Sequence, residues 1–151
     1  MMNPDDYDYH LLVLGDPKAQ KRHRTRHKDK KGKALPYVQS FDPSARIKND
    51  LKRLVQAEAP EEPLRCPLKV DILFCMARPK NHYGTGRNAD ILKNWAPVHH
   101  TSRPDIDNLR KLVMDALTGV FWHDDSYVCQ GTTIKRYSAK PRTEIFITKL
   151  I

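Results

Sequence analysis

At 151 residues and 17.5 kDa the chain has the length of one domain, large enough to bury a core without disulfides or metals to staple it. An apolar fraction of 39% and a mean hydropathy of −0.70 exclude both a disordered polyelectrolyte and a membrane span, which needs roughly 18 apolar residues in a row. The net charge of +9 calls for a polyanionic partner, and with no basic helix carrying an aromatic face, nucleic acid is favoured over a membrane surface.

Residues 1–10 are acidic and polar, unlike a signal peptide, so a cytoplasmic protein is expected. Cys66, Cys75 and Cys129 are odd in number and lack C-x-x-C spacing, which argues against a disulfide framework or a zinc site. Cys75 and Cys129 fall in strand-like stretches and are expected to be buried, inert thiols.

The run YHLLVL at residues 9–14 predicts a first strand, stopped by Gly15-Asp16-Pro17. Residues 18–36 then form a basic loop. Between Lys21 and Lys33 stand eight Lys or Arg against Asp29, with nothing apolar to anchor the segment, so a mobile arm is expected. Lys21, Arg22, Arg24, Arg26, Lys28, Lys30 and Lys31 are its candidate DNA contacts, although such a run can also be a plain solvated tract. Tyr37–Phe41 reads as a short extended piece. Asp42-Pro43 predicts a helix start, and Ile47, Leu51, Leu54 and Val55 recur at helical spacing to about Ala59, with Lys48, Lys52 and Arg53 on the outer face. Residues 68–76 (LKVDILFCM) predict a strand buried on both sides, and also offer the one guess at a dimer surface. Residues 79–103 lack periodicity and form a long loop with one helical turn expected near 90–95. Residues 127–137 and 143–150 predict two strands forming an antiparallel pair. The class is therefore α+β: a mixed or antiparallel sheet of about four strands with two main helices in one domain, residues 1–151.

The helix expected from the Arg103-Pro104-Asp105-Ile106-Asp107-Asn108 stretch to about Leu117 has a buried stripe of Leu109, Leu112, Val113, Ala116, Leu117 and Val120. Asp107, Lys111 and Asp115 recur every four residues and share another face. Asp105 joins Asp107 only if it is extended before the first turn, since two helical positions stand about 200° apart. Trp122-His123-Asp124-Asp125 begins the returning segment, and the short connection suggests that it comes back toward the first acids. Clustered aspartates supply the hard oxygens that Mg²⁺ or Mn²⁺ takes, and a nearby lysine can neutralise a phosphate. Each piece has an ordinary role as well. Asp105 or Asp107 can cap the helix, Asp107 and Lys111 can pair across one turn, and Asp124-Asp125 can build a turn. What weighs against those roles is the recurrence of acids over residues 105–125 of so basic a chain. His99 and His100 are given no catalytic role.

Residues Arg103-Pro104-Asp105-Ile106-Asp107-Asn108-Leu109-Arg110-Lys111, then Asp115-Ala116-Leu117-Thr118-Gly119 and Phe121-Trp122-His123-Asp124-Asp125, resemble the signature of RusA-type Holliday junction resolvases. Residues 96–102 also resemble what precedes it there, whereas the first half of the chain fits only in its pattern of elements. The resemblance implies a homodimeric, Mg²⁺-dependent endonuclease of α+β fold that nicks four-way junction DNA symmetrically, with no organic cofactor. It implies catalytic roles for Asp105, Asp107, Asp125 and Lys111, the three aspartates holding the metal. Asp115 and Asp124 match positions that are usually acidic in the family. The run over residues 21–33 is denser in charge than the family pattern, so its DNA role rests on charge alone. Two other readings stand beside this one: a non-catalytic binder of branched or single-stranded DNA, and a nuclease directed at RNA or at nucleic acid without selectivity.

Overall fold

The most apolar stretch of the sequence becomes the spine of the fold. In chain order the computed structural model, which describes residues 2–151, runs β1 (Tyr9–Leu14), β2 (Arg24–Lys28), β3 (Ala34–Phe41), α1 (Ala45–Gln56), β4 (Leu68–Ala77), α2 (Ile106–Leu117), β5 (Val128–Gln130), β6 (Thr133–Ser138) and β7 (Arg142–Lys149). Strand β4 is central. On one side it pairs antiparallel with β7, which pairs in turn with β1; on the other it pairs parallel with β5 and β6. Alternation along β4 splits its side chains between two faces. Leu68, Val70, Ile72, Phe74 and Met76 join Ile145 and Ile147 of β7 beneath the two helices, whereas Leu73, Cys75 and Phe146 face the other way, against Met2 and Tyr7. Two helices on one face of a mixed sheet make an α+β domain, as the sequence predicts. No helix among the described residues is long and apolar enough to cross a membrane.

Among the described residues seven strands stand where about four are expected, and the differences have physical causes. Residues 24–41 form a hairpin, β2 against β3: most of the basic stretch expected as a mobile arm is ordered in it, and the extended piece expected at Tyr37–Phe41 is the end of β3. Its strands carry almost no buried side chain, so no apolar alternation announced it. The backbone ladder, Arg26 stacked 4.5 Å over the Phe41 ring, and a turn around Asp29 hold it together. Asp29 Oδ1 accepts from the amides of Lys31 and Lys33, and Gly32 takes the left-handed φ of +83° that the turn requires. Gly131 divides the expected 127–137 strand into β5 and β6. It passes so close to β4 that an added Cβ would collide with the Val70 carbonyl, and it leaves room for the Arg110 guanidinium.

Strands β6 and β7 are not a hairpin. Both pair with β4, one on each side, so residues 139–141 arch across the end of β4. That is a span of about 10 Å, within reach of three or four extended residues. For the same reason β4 cannot serve as a dimer surface: both its edges are paired, and eight of its ten residues are buried. Cys75 is buried as expected, but Cys129 on the short outer β5 is exposed. Residues 90–95 form turns and not a helical turn; the short 3-10 turns of this loop lie at Lys80–His82 and Gly86–Asn88. Helix α1 ends at Gln56, short of Ala59. It begins after a turn in which Asp42 Oδ1 accepts from the Ser44 amide, so Asp42 caps that turn and not the helix itself.

Candidate active site

Helix α2 carries the centre of the site. Its stripe of Leu109, Leu112, Val113, Ala116 and Leu117 is buried, each large residue contributing about 1.5–3 kcal/mol, and this fixes which face looks outward. The exposed face bears Asp107 and Lys111, with Asp115 half-buried beyond them. Arg110 reaches under the helix to donate to the Val70 carbonyl (3.2 Å) and Thr133 Oγ1 (2.8 Å), tying α2 to the sheet.

Asp105 sits at the N-cap with φ −71° and ψ 147°, extended as the convergence of Asp105 with Asp107 requires. Its carbonyl accepts from the Leu109 amide, but its carboxylate makes no capping bond and stays exposed. The backbone before it is held from the sheet. Lys135 Nζ on β6 donates to the carbonyls of Ser102 (2.8 Å) and Pro104 (2.9 Å), on either side of Arg103.

Beyond α2 the chain tucks in hard. Phe121 and Trp122 are fully buried, Trp122 Nε1 donates to Thr118 Oγ1 (3.0 Å), and Gly119 turns at φ +84°. Leu64 brackets this turn, donating its amide to the Phe121 carbonyl and accepting from the His123 amide. The fixed turn delivers Asp124 and Asp125 back beside the helix.

Two clefts result, one on each side of the first turns of α2. One, of about 340 Å³, is lined by Asp107, Arg110, Lys111, Met114, Asp115 and Asp125. The other, of about 560 Å³, is lined by Arg22, Arg103, Pro104, Asp105 and Asn108. The structure thus gathers Asp107, Lys111 and Asp125 around one cavity and sets Asp105 in the adjoining one. Among the described residues no three His, Cys, Asp or Glu side chains converge closely enough to hold one metal ion, and none of the ion pairs joins Asp107 to Lys111.

The donor chemistry nevertheless fits a hard divalent cation. Asp105, Asp107 and Asp125 offer exposed carboxylate oxygens, and the acids around Asp125 repel one another. The neighbouring Asp124 side chain, slight desolvation and the charge of Asp115 push the Asp125 carboxyl above its ordinary value, whereas the Ser126 amide holds Asp124 below its own. A cation between these groups would relieve that repulsion.

Three positively charged residues of the site escaped the sequence reading. Lys48, read as solvated, is 15% exposed: its Nζ bridges Asp42 (2.7 Å) and Asp115 (3.3 Å). Arg103 lines the Asp105 cleft, and Lys135 clamps the backbone ahead of it. Only their tertiary neighbours give them away. Arg22 is the one member of the basic run that lines either cleft; Lys21 precedes the hairpin, and the others lie along its first strand and its turn. His100 packs on Tyr137 at 4.8 Å, its imidazole pushed down by burial and by Lys135, and His99 bridges to Arg136.

The family model of endodeoxyribonuclease RusA matches residues 15–148, which takes in both clefts and every strand but β1, stopping one residue short of the end of β7. The chain belongs to the RusA endodeoxyribonuclease family. Among curated proteins it is similar to the uncharacterized protein YqaN of Bacillus subtilis (strain 168), with 29% identity over 142 residues, 93% of this chain and 95% of that protein. The family is one of DNA-cutting hydrolases, and the match reaches well into the half of the chain that the sequence motif left unmatched.

Proposed function

We propose that the chain is a cytoplasmic, divalent-metal-dependent endonuclease that resolves four-way DNA junctions as a homodimer, by paired and symmetric nicks. The observation that carries this reading is the grouping of Asp107, Lys111 and Asp125, from separate segments, around one cleft on α2 with Asp105 at the helix start beside it.

In this reading Asp105, Asp107 and Asp125 hold Mg²⁺, for which Mn²⁺ can substitute. When bound, the metal supplies charge stabilisation and nucleophile activation for in-line displacement at phosphorus. Lys111, one turn above Asp107, offsets negative charge on the reacting phosphate. Arg22 and Arg103 flank Asp105 and seat the neighbouring phosphate. Lys21 at the base of the hairpin and Arg24, Arg26, Lys28, Lys30 and Lys31 along it grip the duplex arms through their phosphates. A junction has two-fold symmetry, and an isologous dimer offers two equivalent sites to opposed strands.

The test is cleavage of a labelled four-way junction in Mg²⁺ and in EDTA, beside duplex, flap and RNA substrates of matched length. Asp105→Asn and Asp107→Asn should each lower nicking by at least about 10³-fold while junction binding persists or tightens. Nicking by either variant at the wild-type rate refutes the assignment. Asp105 also bears on the non-catalytic alternative, which needs it as a cap: its side chain caps nothing, so Asp105→Ala should leave the melting temperature nearly unchanged.

A further inference from the structure

We propose that Trp95 is a stacking platform for an unpaired base of branched DNA, presented on a preorganised loop beside the active site; the inference rests on the DNA-cleaving reading above. Loop tips usually hide or omit tryptophan, the largest apolar side chain. Here Trp95 is 59% exposed, and Ile91, Leu92 and Val98 of the same loop are 60%, 45% and 59% exposed.

The loop is long but tied down. The Lys93 amide donates to the His82 carbonyl (2.9 Å), the Gly84 amide to Ile91 (3.0 Å), and the Tyr137 amide of β6 to Val98 (2.9 Å). Arg78 Nη1 donates to the Pro97 carbonyl at 2.7 Å. Behind Trp95 stands an aromatic column: the buried His82 meets its ring edge-on at 5.5 Å and meets Tyr137 edge-on at 4.9 Å. An indole braced in this way loses little conformational freedom on binding.

Charge selects the occupant. Residues 78–103 carry Arg78, Lys80, Arg87, Lys93 and Arg103 against the single acid Asp90. Lys93 Nζ lies 5.5 Å from the Trp95 ring centroid. Protein–protein interface cores are depleted in lysine, whereas single-stranded nucleic acid is bound by aromatic faces set among cations. The loop also leads to the site. It runs along β6, Val98 bonded to Tyr137 and His99 bridged to Arg136, until Lys135 clamps Ser102 and Pro104 immediately before Asp105. In the proposed complex a DNA strand with a phosphate at Asp105 runs on beside this loop, where a branch point interrupts the stack and leaves a base face open to the indole.

The chain has a built-in reporter, because its other tryptophan, Trp122, is fully buried. Intrinsic emission and the anisotropy of a labelled four-way junction are followed together in EDTA, against a matched linear duplex. Junction binding should quench the emission. Trp95→Ala should abolish the quench and weaken junction and single-strand binding roughly 10-fold, with duplex binding changed far less, and Trp95→Phe should restore most of the loss. If anisotropy reports junction binding while emission stays constant, or Trp95→Ala binds the junction as wild type does, the platform is refuted and the nuclease reading survives. Emission that changes with protein concentration alone, together with a change in mass, assigns Trp95 to a contact between copies and also refutes it. Absence of all DNA binding removes both.

Discussion

A buried carboxylate survives only when its neighbours hydrogen-bond its charged form. Asp71 on β4, 2% exposed, accepts from Tyr7 Oη (2.8 Å) and from the Thr132 amide (2.7 Å), and pairs with Lys69 Nζ at 3.2 Å. Burial opposes its ionisation, but these three partners prevail and hold the carboxyl below its ordinary value. Tyr7 shows the reverse: burial and its bond to Asp71 push its hydroxyl up to about 12. The raised value favours the protonated phenol, so its stabilisation is fully present below the unfolded value near 10 and is lost as pH climbs toward 12. Wild type should lose about 1–2 kcal/mol across that interval beyond what Tyr7→Phe loses, as read by urea denaturation at stepped pH. Asp71 acts at the opposite end: its stabilisation is present above pH of about 4 and fades as acid protonates it, a loss that Asp71→Asn should not show. The Tyr7–Asp71 pair was illegible in sequence because its members lie 64 positions apart. Asp105 was legible because its backbone is dictated locally, by a proline just before a helix start.

At the scale of elements, what the sequence disclosed tracks what an element buries. Strand β4 and helix α2 bury whole faces, so their apolar patterns mark both ends of β4 and the far end of α2 to within a residue, while α2 starts two to three residues later than its opening motif suggests. The hairpin buries almost nothing and shows in the sequence only through its extended Tyr37–Phe41; its pairing is written in Asp29, Gly32 and backbone bonds. The β6–β7 relation was misjudged because a hairpin and an arch across one intervening strand need nearly the same short connection. Its lack of a core gives the hairpin a separable role. Lys28, Lys30 and Lys31 are exposed there and support no packing. Replacing all three by alanine should move the melting temperature by no more than about 2 °C. It should also flatten the salt dependence of junction binding, reducing the slope of log K against log salt by about 3 units, near 0.9 per lost phosphate contact. An unchanged slope would remove the hairpin from the DNA footprint. Its base is anchored to α2 and to the turn before α1, the Gln20 amide on the Asn108 carbonyl (2.9 Å) and the Lys21 amide on Ser44 Oγ (2.8 Å), so the backbone beside Arg22 is in fixed relation to α2.

For the whole molecule, the proposed junction resolution turns on the number of active sites that meet one junction. A single chain presents one acidic site, and one nick leaves the junction's arms joined. Productive resolution needs a second nick, in the opposed strand, before the first product dissociates. A dimer meets that condition because its second site is already bound, at an effective concentration set by the assembly and not by free protein. Equilibrium sedimentation should therefore give twice the 17.5 kDa chain mass. A supercoiled plasmid extruding a cruciform separates paired from unpaired cutting: two nicks within one bound lifetime yield linear DNA, whereas independent nicks accumulate as open circles. Wild type should give linear product from the earliest times. Mixed dimers, formed by refolding wild type with an excess of Asp107→Asn, should bind as well as wild type yet stop at the open circle, since one competent site cuts one strand. Linear product from those mixed dimers at the wild-type rate would show that a single chain makes both cuts, and the two-site scheme would fall while the chemistry at α2 stood.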